Sequence, residues 1–523
     1  MASLRRCFRL SNRPFPRIEF QRNDDFRNSV TQSPGSLSRR DFVKGALALG
    51  AATLIPGCKT SSKSGTRPRI AIVGAGIAGL SAAHALAKGG IDADLYEAGA
   101  RAGGRIMTLQ NIVAPGLFTE AGGEFIDTAH ADMLALAREF GLEIQDAFGP
   151  GFSGLIESAW HFGGRMRSEA EVAQAVRELT AAIQADIGAL PDGIRAGTGG
   201  LAAELDALSL EEYLDGRGVT GWLRSLLIAA YVSEFGLDAG RQSCLNLLTL
   251  VSLDTSAGKF RVYGESDERY RIAGGNQALT DALAGKYRAR LRLDHRLEAV
   301  SAQGEGYKLS FQGPGGAVEK PADAVILALP FTLLRAVDLR LELPAAKRKA
   351  IAELGYGTNS KLFLGFSSRP WRKAGYGGDF FTDDLIQCGW DHAKVQAGTA
   401  GGLTIFQGGS AGLALAAGGP AAQAAAMAGP LEAVFPGTKA ARNGNVGAFH
   451  WPTYPLSLGS YACYLPGQWT SIAGEEAKPV GNLFFAGEHC SPDFQGYMNG
   501  GAATGREAAE AVLAKWAPGK KAG

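Results

Sequence analysis

Arg69-Ile70-Ala71-Ile72-Val73-Gly74-Ala75-Gly76-Ile77-Ala78-Gly79 is a short apolar run that passes without a break into three spaced glycines. The run predicts a buried strand, and the alanine-rich residues 80–89 predict a helix, so the glycines occupy a strand-to-helix turn. In that setting Gly74 makes the tight turn, Gly76 lets a pyrophosphate reach the backbone, and Gly79 lets helix pack on strand. A second strand over residues 93–96 ends at Glu97, whose carboxylate is placed to accept from adenosine ribose hydroxyls rather than to tolerate a phosphate. The pattern predicts an α/β fold around a dinucleotide, with NAD and FAD both still open.

Near the other end, Phe484-Phe485-Ala486-Gly487-Glu488 is an apolar strand closing on one acidic acceptor, followed by Gly496-Tyr497-Met498-Asn499-Gly500-Gly501. This reads as the isoalloxazine end of a flavin site. Glu488 beside a bare glycine suits a ribityl chain, and the free N–H groups of a helix starting near Gly496 would favour negative charge on the flavin pyrimidine. Tyr497 would flank the reactive ring. A glycine-rich turn alone is equally well explained as turn chemistry. Arg101-Ala102-Gly103-Gly104-Arg105, directly after Glu97, tips the choice toward FAD, because paired glycines and a guanidinium suit a second pass along the pyrophosphate.

Taken in order, Gly74 to Gly79, Glu97, Gly103-Gly104-Arg105, Gly122-Gly123, Gly487-Glu488 and Gly496-Tyr497-Met498 resemble the flavin amine oxidases, which include monoamine, polyamine and L-amino-acid oxidases. The resemblance spans residues 68–515. It implies a Rossmann-type FAD-binding domain built from three separated segments (68–125, 270–345 and 450–515), with an inserted α+β substrate domain from 126–269 and 346–449. It assigns cofactor contacts to Gly74, Gly76, Ala78, Gly79, Glu97, Ala98, Gly104, Arg105, Gly123, Glu124, Leu297, Gly487, Glu488, Gly496 and Met498.

The chain of 523 residues is 46% hydrophobic with a formal charge of +2, enough for two well-buried domains. It has no charge block of the kind that binds nucleic acid and no run of about twenty apolar residues that would span a membrane. The chain stops soon after the flavin helix, without the C-terminal anchor of mitochondrial monoamine oxidases, so a water-soluble protein is expected. Ser38-Arg39-Arg40-Asp41-Phe42-Val43-Lys44 and the mild apolar run over residues 45–54 resemble a twin-arginine export signal, making 1–63 signal and linker and the destination periplasmic. Ile55-Pro56-Gly57-Cys58 is a lipoprotein cleavage candidate with a poorly matching proline. Five arginines precede the first acid, Glu19, which a mistaken start codon explains better than a transit peptide. The six cysteines and seven histidines show no metal-ligand spacing, so no metal is predicted.

Residues 126–265 read mainly as helices, with capping-box spacing at Ser168 to Glu171 and Ser209 to Glu212. Arg271-Ile272-Ala273-Gly274-Gly275-Asn276 and a strand over 324–328 return to the cofactor fold, with a hairpin-like stretch between. The Gly-, Ala- and Pro-rich residues 408–429 read as surface loops.

Lys361, in Asn359-Ser360-Lys361-Leu362-Phe363 ahead of Arg369-Pro370-Trp371-Arg372, is a lysine embedded in an apolar strand, where burial would point to function. The resemblance implies that it holds a water near flavin N5 and assists reoxidation by oxygen. It also implies that Tyr461 faces Tyr497 to form an aromatic cage for the amine. Monoamine oxidases carry their covalent flavin cysteine at the position of Ser460, which argues for non-covalent FAD, with Cys463 three residues on. Gly99 replaces a frequent arginine, and Phe125 stands where L-amino-acid oxidases place a carboxylate-clamping arginine. The expected reaction is therefore hydride transfer from an amine's α-carbon to flavin N5, giving an imine that hydrolyses, with O2 reduced to H2O2 and no general base assigned. An L-amino-acid oxidase, an amine dehydrogenase passing electrons to a cytochrome, and a non-catalytic flavoprotein are the alternatives.

Overall fold

The computed structural model describes residues 67–516 except residue 257; the export signal, the linker and Cys58 lie outside them. Strand β1 (Ile70–Val73) is buried at every position, as a strand must be when both faces of a parallel sheet are covered. Helix α1 (Ile77–Lys88) follows it through the glycine turn, and β2 (Ala93–Tyr96) pairs parallel with β1 in the register Ile70 to Ala93. Three further parallel strands come from distant segments: β3 (Leu291–Arg292), β4 (Ala324–Leu327) and β5 (Leu483–Phe485). The order is β5-β4-β1-β2-β3. The sheet has the α/β form read from the sequence, and it draws its strands from segments that flank two long excursions.

A meander of Arg296–Gln303, Gly306–Gly313 and Gly316–Ala322, joined by Asp338–Arg340, forms a four-stranded sheet over the first. The excursions share a larger, seven-stranded sheet in the order Arg442–His450, Ser360–Phe366, Gly401–Gln407, Cys388–Asp391, Tyr376–Thr382, Ile156–Phe162, Arg165–Arg167. The last two strands lie inside the stretch read as mainly helical. Their signal was the Gly163-Gly164 pair, both at positive φ, which closes a two-residue hairpin and lets Trp160 stack on Phe381 at 5.0 Å. Both capping boxes form, opening the helices Glu169–Ala189 and Leu210–Gly216.

Residues 408–429 contain a turn at 415–418, as expected, but are otherwise mainly helical. They form the helices Gly409–Ala414 and Gly419–Ala426, because alanine content outweighs the glycines and because Leu415, Ala424 and Met427 pack against Leu362 and Leu364. Helix α2 (Gly221–Phe235) lies among the helices of the first excursion and ends at Gly236 in the left-handed conformation. Helix α3 (Met498–Trp516) packs along α1. That crossing is close because of glycine: a Cβ on Gly505 would lie 2.0 Å from the Ala78 carbonyl oxygen, and one on Gly501 2.9 Å from Ile77 Cγ2. The contacts join the first turn of α1 to the first two turns of α3, so the two N-termini converge.

Candidate active site

The converging ends are equipped for one elongated anionic ligand. Helix α1 starts at Gly76 with no side-chain cap and no acid in its first turn, leaving an uncapped, positive helix end. In α3 the N–H groups of Met498, Asn499 and Gly500 have no acceptor among the described residues, and the first bond of the helix runs from Gly501 to Tyr497. Gly76 and Gly104 face each other: a Cβ on Gly76 would meet nothing closer than Gly104 Cα at 3.8 Å, so a cradle stays open over the turn. Gly74 and Gly79 differ, since a Cβ there would lie 2.4 Å from Ala328 O and 1.8 Å from Gly74 O. These features fit FAD, with phosphates at α1 and the flavin pyrimidine at α3.

Glu97 accepts from the N–H groups of Ala75 and Gly99, each at 2.8 Å, which fixes the turn and leaves lone pairs for ribose hydroxyls. Burial raises its pKa against those two bonds. Ala98 is the half-buried residue beside it. Arg105 donates to Ser460 O at 2.8 Å and to Glu488 Oε1 at 2.7 Å. Glu488 in turn accepts from Gly496 N at 2.9 Å. Gly487, at φ 144°, precedes it. The N- and C-terminal motifs are thus tied through one ion pair. A Cβ on Gly123 would meet Met498 Cγ at 2.6 Å, so the Gly122-Gly123 backbone lies against the start of α3. Leu297 is buried with Val73, Tyr96 and Leu327 on the sheet face below this region.

Lys361 is buried, in register with Phe406 and Phe449. Its three ammonium donors all have acceptors: Glu120 O at 3.0 Å, Gly122 O at 2.9 Å and Glu124 Oε2 at 3.2 Å. Burial lowers its pKa and the Glu124 charge opposes that. Glu120, alongside, is pushed up to about 8 by burial. Sequence reading did not anticipate Arg271. Its guanidinium lies 4.9 Å above the Phe125 ring and 3.6 Å from Glu124 Oε1, while Nε and Nη1 have no partner. The only early signal was its place just before Ile272-Ala273-Gly274-Gly275.

Tyr461 and Tyr497 are brought together: a Cβ on Gly496 would lie 3.5 Å from Tyr461 Cδ2. Both hydroxyls are pinned by the last turn of α2. Tyr461 donates to Ser233 O at 3.2 Å and Tyr497 to Glu234 Oε1 at 2.9 Å. Glu234 is the second residue missed from sequence, because a single glutamate near a helix end carries no pattern. His130 Nδ1 accepts from Asp127 N, and its ring meets that of Tyr497 edge-on at 5.2 Å. Asp127 also accepts from Glu268 N, which holds Glu268 at a positive φ of 46°. Ser460 donates to Asn359 Oδ1 at 2.6 Å. Cys463 accepts from Asn246 at 3.5 Å, and Cys244, Cys388, Cys463 and Cys490 are separate buried thiols. Among the described residues no group of His, Cys, Asp and Glu could hold a metal, and no helix is long and apolar enough to cross a membrane.

A family model described as flavin containing amine oxidoreductase matches residues 77–513, and one for the twin-arginine translocation pathway signal matches residues 36–56. A protein described as a putative flavin-containing monoamine oxidase of Mycobacterium tuberculosis is 25% identical over 85% of this chain and 96% of its own. An L-amino-acid oxidase of Protobothrops flavoviridis is 24% identical over 82% and 85%. In fold, cyclohexylamine oxidase from Brevibacterium oxydans superposes with a TM-score of 0.74 at 22% identity, and putrescine oxidase bound to putrescine with 0.74 at 20%; each covers 86% of this chain and 99% of the other.

Proposed function

Because the chain belongs to the flavin-containing amine oxidoreductases, we propose that it oxidises a primary or secondary amine to an imine, which water hydrolyses to a carbonyl compound and ammonia. The observation that carries this reading is the pair Tyr461 and Tyr497, whose hydroxyls are both held by the end of α2, with the Glu234 carboxylate accepting from one of them. Two electron-rich rings and a carboxylate select a cationic or electron-poor nitrogen. Bound across α1 and α3, FAD would accept the hydride and pass the electron pair to oxygen.

The chain's own part is positional. The cage orients the α-carbon, the glycine turns keep the backbone close to the cofactor, and the walls of Tyr461, Tyr497 and Phe125 exclude water. Lys361 spans Glu120, Gly122 and Glu124, so it fixes the loop in front of the cage in addition to any contact with water near the cofactor. Ser460 in place of a cysteine supports non-covalent FAD. The reading divides the described chain into cofactor segments 68–125, 270–345 and 450–515 and substrate segments 126–269 and 346–449. The signal match supports export by the twin-arginine pathway, with the periplasm as site of action and O2 or a cytochrome as acceptor.

One observation favours a second reading. Arg271 places a guanidinium with two unpartnered nitrogens on the face of Phe125, where a substrate carboxylate would find a clamp, as an L-amino acid requires. Anaerobic bleaching of the flavin with amines paired to their L-amino acids decides between them. Bleaching by amines alone supports the first, bleaching by amino acids alone the second, and bleaching by neither sinks both.

A further inference from the structure

An amine reaches a neutral solution as an ammonium ion, yet hydride can leave its α-carbon only when the nitrogen lone pair is free. A proton must therefore go somewhere inside the site. Glu234 is positioned to take it. Its Oε1 accepts from the Tyr497 hydroxyl, and no side chain donates to Oε2 among the described residues. It stands on the last turn of α2 beside Ser233, whose carbonyl accepts from Tyr461, so one helix end holds the hydroxyls of both tyrosines and carries the carboxylate.

Resting on the amine-oxidising reading above, we infer that Glu234 is the proton acceptor that converts the bound ammonium to the free amine. The N–H bond breaks with its electron pair left on nitrogen, and an O–H bond forms on the carboxylate. The charges of ammonium and carboxylate cancel, so an uncharged pair remains. The free amine is the form from which bound FAD would accept the hydride.

The surroundings support this role. The groups facing Glu234 are the carboxylates of Asp127 and Glu268, the phenols of Tyr231, Tyr263, Tyr461 and Tyr497, and the thiol of Cys388. Burial pushes Glu234 up to about 7, the Tyr497 hydrogen bond holds it down, and Asp127 raises it. Burial and then the Glu234 charge raise Glu268 well above the carboxylate range. An acceptor poised near neutrality is the one general acid–base catalysis favours.

The test follows the reductive half-reaction against pH under anaerobic conditions. The parent protein is expected to show a bell in the second-order bleaching constant: an acid limb near pH 7 from Glu234 and an alkaline limb at the substrate amine's own pKa, about 10 for an amine like lysine's. In Glu234→Gln the acid limb disappears and the constant rises tenfold per pH unit up to the amine's pKa, because only free amine is then used. Asp127→Asn should retain the bell with its acid limb at lower pH, since a like charge is removed. A readout without turnover uses the α,α-dimethyl analogue of the best amine, which has no α-hydrogen. Calorimetry at about pH 8.5, where Glu234 is ionised and the amine still protonated, in buffers of different ionisation enthalpy should find no proton released on binding to the parent and about one released in Glu234→Gln. A parent profile without an acid limb, or one released proton in the parent, overturns the assignment. Absence of bleaching by any amine would instead overturn the amine-oxidising reading itself.

Discussion

Between Gly74 and Gly79 the chain works by leaving side chains out, whereas around Glu234 it works by enclosing charge. In the first region a Cβ on Gly79 would lie 1.8 Å from Gly74 O and one on Gly74 2.4 Å from Ala328 O, while the space over Gly76 stays open. In the second, Glu234 accepts from Tyr497, and Arg271 lies 3.6 Å from Glu124 and over the Phe125 ring. A cofactor common to many reactions is gripped by geometry. A substrate is chosen by charges that can be exchanged singly.

The contrast breaks most easily at the helix crossing. Gly505→Val would drive a branched side chain into the Ala78 carbonyl and is expected to cost more than about 4 kcal/mol, with loss of flavin absorbance relative to protein. Full loading in that variant would show that α1 and α3 need not touch. Lys361→Met removes the group shared by Glu120, Gly122 and Glu124 and strands the Glu124 carboxylate beside Arg271. A cost of about 3–5 kcal/mol is expected, seen as a lower Tm, together with slower reoxidation by oxygen; unchanged reoxidation would confine Lys361 to structure. Tyr497→Phe removes the bond that holds the Glu234 pKa down, so the acid limb should move to higher pH, and a limb that stays put would separate the tyrosine from the carboxylate. Ser209→Ala, far from both regions, should cost about 1 kcal/mol through its cap and leave bleaching untouched.

The same contrast explains what could be read in advance. The strand, turn and helix at residues 70–88 were legible because glycine at fixed spacing has few other uses, and the two capping boxes because Ser and Glu three apart satisfy each other's backbone partners. The strand Ile156–Phe162 was lost in a helical stretch because its partner Tyr376–Thr382 lies more than two hundred positions away, and Arg165–Arg167, which pairs only with Ile156–Phe162, was lost with it. The helices over residues 409–426 were hidden by glycine and proline whose effect tertiary packing overrides. Glu234 and Arg271 left no trace because a lone charged residue looks the same on a surface and in a site. Phe125 was read as unable to clamp a carboxylate, and only the folded chain shows that an arginine lies on its ring.

The crossing of α1 and α3 also sets a condition on timing. Helix α1 is synthesised early and α3 at the far end of the described chain, so the cleft between their N-termini cannot exist until nearly all of the chain has left the ribosome. Contacts so distant in sequence form slowly. A chain threaded unfolded through a membrane would have to complete this closure, and find its dinucleotide, on the other side. A signal of the twin-arginine type at residues 36–56 fits the reverse order, in which the helix pair closes first and transit follows.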